Sequence, residues 1–143
     1  MVINMKTAVV YWSSTGNTEA MANAIASGAA EAGAEVSLFT ASEFGSAMLG
    51  DYDSIALGCP SMGVEELEDS EFQPMFDDIK ESLAGKKVAL FGSYGWGDGE
   101  WMRNWQADCE GLGITLVADG VIANETPDDE ATENCISLGK LLA

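Results

Sequence analysis

The chain has no histidine among its 143 residues, and only six lysines and arginines against 24 aspartates and glutamates. Without imidazole, and with three cysteines that form no Cys-x-x-Cys pair, it offers no zinc or haem site of the usual ligand types. The net charge of −18 removes nucleic acid as a partner, because no basic patch exists to neutralise phosphates. The same charge repels anionic membranes, and no apolar run is long enough to span a bilayer. The first apolar stretch, Ala8 to Trp12, is too short for a signal sequence and ends in a polar loop. Repeats, linkers and low-complexity tracts are missing too, and the acidic run from Glu65 to Glu71 is the one block of charge. The odd cysteine set (Cys59, Cys109 and Cys135) reads as reduced, buried thiols of a cytoplasmic protein.

The length suits a single domain spanning residues 1–143. Such a chain buries about 70% of the surface it exposes unfolded, and 47% hydrophobic residues can supply that core. The run Thr7 to Trp12 is apolar and rich in β-formers, as in a strand covered on both faces. Met21, Ile25 and Ala29 then recur at helical spacing, and Gly33 stands where a helix C-terminal cap belongs. Further strands are predicted at Glu35 to Phe39, Ser54 to Gly58, Lys87 to Gly92 and Thr115 to Ala118, the last resuming at Val121 and Ile122. Helices are predicted at Phe72 to Leu83, Trp101 to Leu112 and Pro127 to Leu142, with Thr126 capping the last and Pro127 in its first position. Five strands alternating with helices make a doubly wound α/β domain built on a parallel sheet. Ligands of such sheets sit beyond the C-terminal strand ends, where chain order reverses. The loops after the first, third and fourth strands are therefore the ones to read.

The first of them, SSTGNT (Ser13 to Thr18), joins a strand to a helix, so its N–H groups converge at the positive helix end. Ser13, Thr15 and Thr18 add hydroxyls, Asn17 adds an amide, and Gly16 permits close backbone approach. The lysine of a Walker loop is missing, and the glycines at 95, 97 and 99 do not have G-x-G-x-x-G spacing. A loop that grips phosphate with dipoles alone suits a single terminal phosphate that is held but never transferred. The fourth-strand loop places Trp96 between Gly95 and Gly97, a flat face free of neighbouring bulk. Trp101 and Trp105, at helical spacing, belong instead to helix packing. The third-strand loop offers Met62 beside Gly63, a polarisable apolar side chain next to a flexible residue. Together the three describe a planar ring system with a phosphate tail.

S-x-T-G-N-T after the first strand, Met-Gly in the third-strand loop and SYGWGDGEW in the fourth resemble a short-chain flavodoxin of the clostridial type. The resemblance covers essentially the whole chain. It implies a flavodoxin-like five-stranded sheet of order 2-1-3-4-5 with helices on both faces, and non-covalent FMN. It places Ser13, Ser14, Thr15, Gly16, Asn17 and Thr18 on the phosphate. Pro60, Ser61, Met62, Gly63, Val64 and Glu65, with Ser93, Tyr94, Gly95, Trp96 and Gly97, are placed around the ring. Met62 and Trp96 sandwich the isoalloxazine, Glu65 bonds it near N3, and the Gly63–Val64 peptide turns a carbonyl toward flavin N5–H on reduction. Pro60, Ser61 and Val64 depart from the small or acidic residues expected in that loop, and β-branched Val64 stiffens the turn.

Adding the last electron leaves an anion at the ring, which the acidic surroundings oppose. One carboxylate ~10 Å away at an effective dielectric of about 40 opposes it by roughly 0.8 kcal/mol. The function implied is a low-potential one-electron carrier, not an enzyme, shuttling between redox enzymes that present basic docking surfaces. A monomer without a membrane or nucleic-acid partner is expected. The alternative is an FMN-dependent NAD(P)H:quinone reductase. It would need bases for a second phosphate-bearing cofactor, and none of Lys6, Lys80, Lys86, Lys87, Arg103 and Lys140 lies in the three loops.

Overall fold

The computed structural model describes residues 5–14, 16–62, 67–95 and 97–143. Strands β1 (Lys6–Tyr11), β2 (Glu35–Thr40), β3 (Ser54–Gly58), β4 (Lys87–Tyr94), β5 (Thr115–Leu116) and β6 (Val121–Asn124) form one parallel sheet. Its order is β2-β1-β3-β4-β5, with β6 also on β4. Helices α1 (Asn17–Glu31), α2 (Ser46–Leu49), α3 (Phe72–Ile79), α4 (Glu100–Gly111) and α5 (Asp129–Leu142) connect the strands. The order 2-1-3-4-5 and the helices on both faces agree with the sequence reading.

Strand alternation decides which helices lie where. Ala8, Val10, Ile55, Leu57, Val88 and Leu90 meet Phe72, Phe76, Trp101 and Trp105 of α3 and α4. Their neighbours Val9, Ala56, Ala89 and Phe91 point the other way, onto Met21 and Ile25 of α1 and Cys135, Leu138 and Leu142 of α5. Period-two patterning thus splits a continuous apolar run between two cores. Alanines at the centre of the second face let α1 and α5 settle close to the sheet. The two helices also touch backbone to backbone: a Cβ on Gly28 would lie 2.1 Å from the Ile136 carbonyl oxygen, and one on Gly139 equally close to that of Ile25. Trp101 and Trp105 are buried, as their spacing predicts, and Phe72 and Phe76 both meet the Trp105 ring edge-on. Cys59, Cys109 and Cys135 are free and buried.

The fifth position of the sheet departs from a single strand. Leu116 pairs with Val88 and Val121 with Phe91. The edge chain therefore takes five steps where β4 takes three, and the surplus bows outward as in a bulge. Gln106 of α4 accepts the Gly120 N–H across that bow. The last helix also starts later than predicted. Asp128, not Thr126, is its cap, its carboxylate accepting the Ala131 N–H at 2.8 Å, and Pro127 lies outside the helix. Helix α3 gives way to a 3-10 turn at Lys80–Ser82, short of Leu83. A 3-10 turn at Ala41–Glu43 and the single turn of α2 have no counterpart in the predicted elements.

Candidate functional site

Strands β1 and β3 lie side by side and their chain order reverses between β2 and β3, which opens a crevice at their C-terminal ends. The β1–α1 loop is folded around one hydroxyl. Ser13 Oγ accepts the Gly16 N–H at 3.1 Å and the Glu19 N–H at 3.3 Å, curling the chain into the first turn of α1. Gly16 precedes that turn at φ 92, in the left-handed region that side chains rarely adopt. Thr18, 1% exposed, faces inward, and its hydroxyl lies 2.9 Å from that of Ser93 at the end of β4. One hydroxyl pair thus joins two of the predicted loops.

The loop after β3 continues along β4 rather than leaving it: Cys59 N–H donates to Phe91 O at 3.1 Å and Ser61 N–H to Ser93 O at 3.0 Å. Pro60, Ser61 and Met62 are consequently set beside Ser93, Tyr94 and Gly95. With Ser14, Asn17, Glu125 and Thr126 they line a cleft of about 480 Å³. That volume is ordinary for a cofactor site. Apart from its chain neighbours, no described residue lies within 4 Å of where a Cβ on Gly95 would stand, which leaves room beside it for a flat ligand. A second cleft, about 330 Å³, shares Ser14 but is walled by Glu19, Glu71, Tyr11 and Trp12, and it touches neither residues 60–62 nor 93–95. Of these two clefts, the first brings described residues of the three loops together.

Of the predicted residues, Ser13, Gly16 and Thr18 shape the β1–α1 loop, while Ser14, Asn17, Pro60, Ser61, Met62, Ser93, Tyr94 and Gly95 face the cleft. Gly97 is exposed at φ 86 and does not line it. Thr15, Gly63, Val64, Glu65 and Trp96 lie outside the described residues. The fourth wall, Glu125 and Thr126, was missed by reading three loops only. These residues also follow a C-terminal strand end, that of β6, which is the signal that could have found them. Thr126 Oγ1 donates to Asn17 Oδ1 at 3.4 Å, a tie between cleft walls in place of its expected capping role. Glu125 adopts φ 58, left-handed for a non-glycine, and its N–H donates to Tyr94 O at 2.7 Å.

Charge at this end of the sheet is not uniformly exposed. Burial works against the charge of Glu68, 5% exposed, but the Ser70 hydroxyl and the N–H groups of Phe72, Glu71 and Ser70 outweigh it and hold the carboxyl below its ordinary range. Glu68 therefore caps α3 and is no part of an acidic outer face. Trp12 Nε1 donates to Glu71 at 3.1 Å and Tyr11 OH to Glu19 at 3.0 Å. Burial, then the Glu19 bond, raises the Tyr11 phenol. Burial pushes the Cys59 thiol up to about 12, which disfavours the nucleophilic thiolate. Groups of histidine, cysteine or carboxylates able to hold a metal ion do not occur among the described residues, and among them no helix is long and apolar enough to cross a membrane.

Fold and cleft define a doubly wound α/β protein with a hydroxyl- and amide-lined cleft at a strand-order reversal. Residues 9–139 match the family model described as flavodoxin. The chain is 47% identical over 135 residues to flavodoxins of Clostridium beijerinckii and of Megasphaera elsdenii, covering 94% of this chain and 97% and 96% of theirs. The solution structure of two-electron reduced Megasphaera elsdenii flavodoxin superposes with a TM-score of 0.87 at 48% identity, covering 95% of this chain and 97% of that one. The chain belongs to the flavodoxin family. It is an FMN-binding electron carrier rather than an enzyme, and the quinone-reductase alternative is not favoured.

Proposed function

We propose that the chain is a low-potential one-electron carrier that holds FMN in the cleft between the β1, β3 and β4 loops and passes electrons to redox enzymes with basic docking surfaces. The observation that carries this reading is the hydroxyl- and amide-lined cleft itself, whose lining residues include no lysine or arginine. The residues present suit FMN. Ser13 to Thr18 offer hydroxyls, an amide and helix N-terminal N–H groups to a phosphate monoester. Met62 and the open space over Gly95 suit one face of a flat ring, and Trp96, by its sequence position, supplies the other. The Gly63–Val64 peptide and Glu65 are assigned to the N5 and N3 edges on the same sequence grounds. When bound, FMN supplies a centre that accepts and returns electrons one at a time.

The acids do two things in this scheme. They disfavour accumulation of negative charge at the ring, which makes the bound cofactor a stronger reductant, and they steer a cationic partner toward the exposed edge. In this reading a single domain over residues 1–143 acts as a monomer in the cytoplasm, a reducing compartment that free cysteines suit. Anaerobic mixing of the FMN-loaded protein with NADH or NADPH tests the carrier reading against the enzyme reading. Slow reduction, unaffected by added quinone, is expected. Rapid nicotinamide oxidation sustained by quinone would contradict it.

A further inference from the structure

The two ends of the ring-side segment meet at one thiol. Cys59 is fully buried, and its Sγ accepts the Glu68 N–H at 3.2 Å. Its carbonyl accepts Trp101 Nε1 at 3.1 Å, and its own N–H is taken by Phe91 O. Room on the remaining side is absent as well, since a Cβ on Gly92 would stand 2.1 Å from the Cys59 carbonyl oxygen. Cys59 therefore cannot shift without disturbing β4 and α4. On the other side of the contact, the Glu68 carboxylate accepts N–H groups of Ser70, Glu71 and Phe72 at 2.8 to 2.9 Å, and the Glu68 carbonyl accepts Gln73 N–H at 2.8 Å. Residue 68 is as firmly attached to α3 as residue 59 is to the sheet.

Resting on the FMN reading above, we propose that Cys59 and Glu68 are positioning residues for the ring side of the cofactor site. They form a clasp that fixes where Pro60, Ser61 and Met62 stand against Ser93 and Gly95. Neither residue lines the cleft. Each acts through the backbone it holds: without the carboxylate the first turn of α3 loosens, residue 68 leaves the thiol, and Met62 loses its fixed distance from Gly95. An ordinary helix cap would affect stability alone. A clasp affects ring binding as well, and equally for flavins with and without phosphate.

The test uses the full-length apoprotein and its variants Glu68→Gln, Cys59→Ala and Cys59→Ser, with FMN and riboflavin affinities measured by fluorescence quenching at 25 °C. Glu68→Gln and Cys59→Ala are expected to weaken FMN and riboflavin by the same factor, about ten-fold, the equivalent of one lost buried hydrogen bond. Cys59→Ser, which retains an acceptor, should recover most of that loss. Thr15→Ala, in the loop the sequence assigns to the phosphate, should by contrast weaken FMN and leave riboflavin nearly unchanged. Unchanged affinities in Glu68→Gln and Cys59→Ala, with only a lowered melting temperature, would overturn the clasp. So would a loss confined to FMN. A wild-type apoprotein that fails to bind FMN would overturn the cofactor reading along with it.

Discussion

The hydroxyls of Thr18 and Ser93 lie 2.9 Å apart, and the Ser93 N–H reaches Thr18 Oγ1 at 3.4 Å. This pair joins the first turn of α1 to the end of β4, so the β1–α1 loop and the β4 end of the cleft form one unit. Thr18→Val keeps the shape and deletes the hydroxyl, leaving two buried groups of Ser93 underserved. It is expected to cost about 1–3 kcal/mol. For a chain of this size the melting temperature falls by roughly 2–4 °C per kcal/mol. Calorimetric scanning of the apoprotein reads this directly, and an unchanged melting temperature would show the pair to be energetically idle.

Helices α1 and α5 touch backbone to backbone at Gly28 and Gly139. Gly28→Ala or Gly139→Ala must push a Cβ against a carbonyl oxygen that now lies 2.1 Å from its ideal position. Overpacking of this kind costs about 1–3 kcal/mol. The cleft lies at the strand ends, so the absorbance spectrum of bound FMN should be preserved in these variants while urea midpoints fall. A spectral change without loss of stability would place the contact wrongly.

Acid should weaken the protein through Glu68 in a defined sense. Its folded-state carboxyl titrates below its unfolded value because the Ser70 hydroxyl and three N–H groups outweigh burial. Its contribution is therefore present above the unfolded value, about 4.3, and is lost as pH falls through the lower folded value. Asp77, held low first by Lys80, adds to the same slope. Glu68→Gln should flatten the decline of unfolding free energy with falling pH in that window. A decline as steep in the variant as in the wild type would mean that other carboxylates carry it.

Much of this was legible in the sequence where the signal was local. Ser54 to Gly58 was placed to the residue, because a run this short between turn-forming residues favours a strand buried on both faces over a helix. Gly33, at φ 102 just beyond α1, was legible for an equally local reason. The start of α5 was not, since Thr126, Pro127 and Asp128 all favour a helix start and only the fold draws Thr126 toward Asn17. Glu68 reads as one more acid in an acidic run. Its burial depends on the N–H groups of Ser70, Glu71 and Phe72 and on a thiol nine residues earlier.

That burial sharpens what can be expected of docking. Reversing Glu65, Glu66 and Asp69 to lysine, with Glu68 left intact, should flatten the fall of electron-transfer rate with rising salt against a cationic redox partner. Stopped-flow rates that ignore ionic strength in the wild type would count against an acidic docking face. Rates that collapse only when Glu68 is also reversed would report lost structure, not lost steering.

The central claim, that electrons leave this protein singly, is tested most directly by stepwise reduction of the FMN-loaded protein with dithionite under visible absorbance. The account predicts two separated one-electron steps: long-wavelength absorbance rises to a maximum near one electron per flavin and then falls, with the second step at the more negative potential. Bleaching of the yellow form in a single two-electron step, with no such maximum, would contradict it.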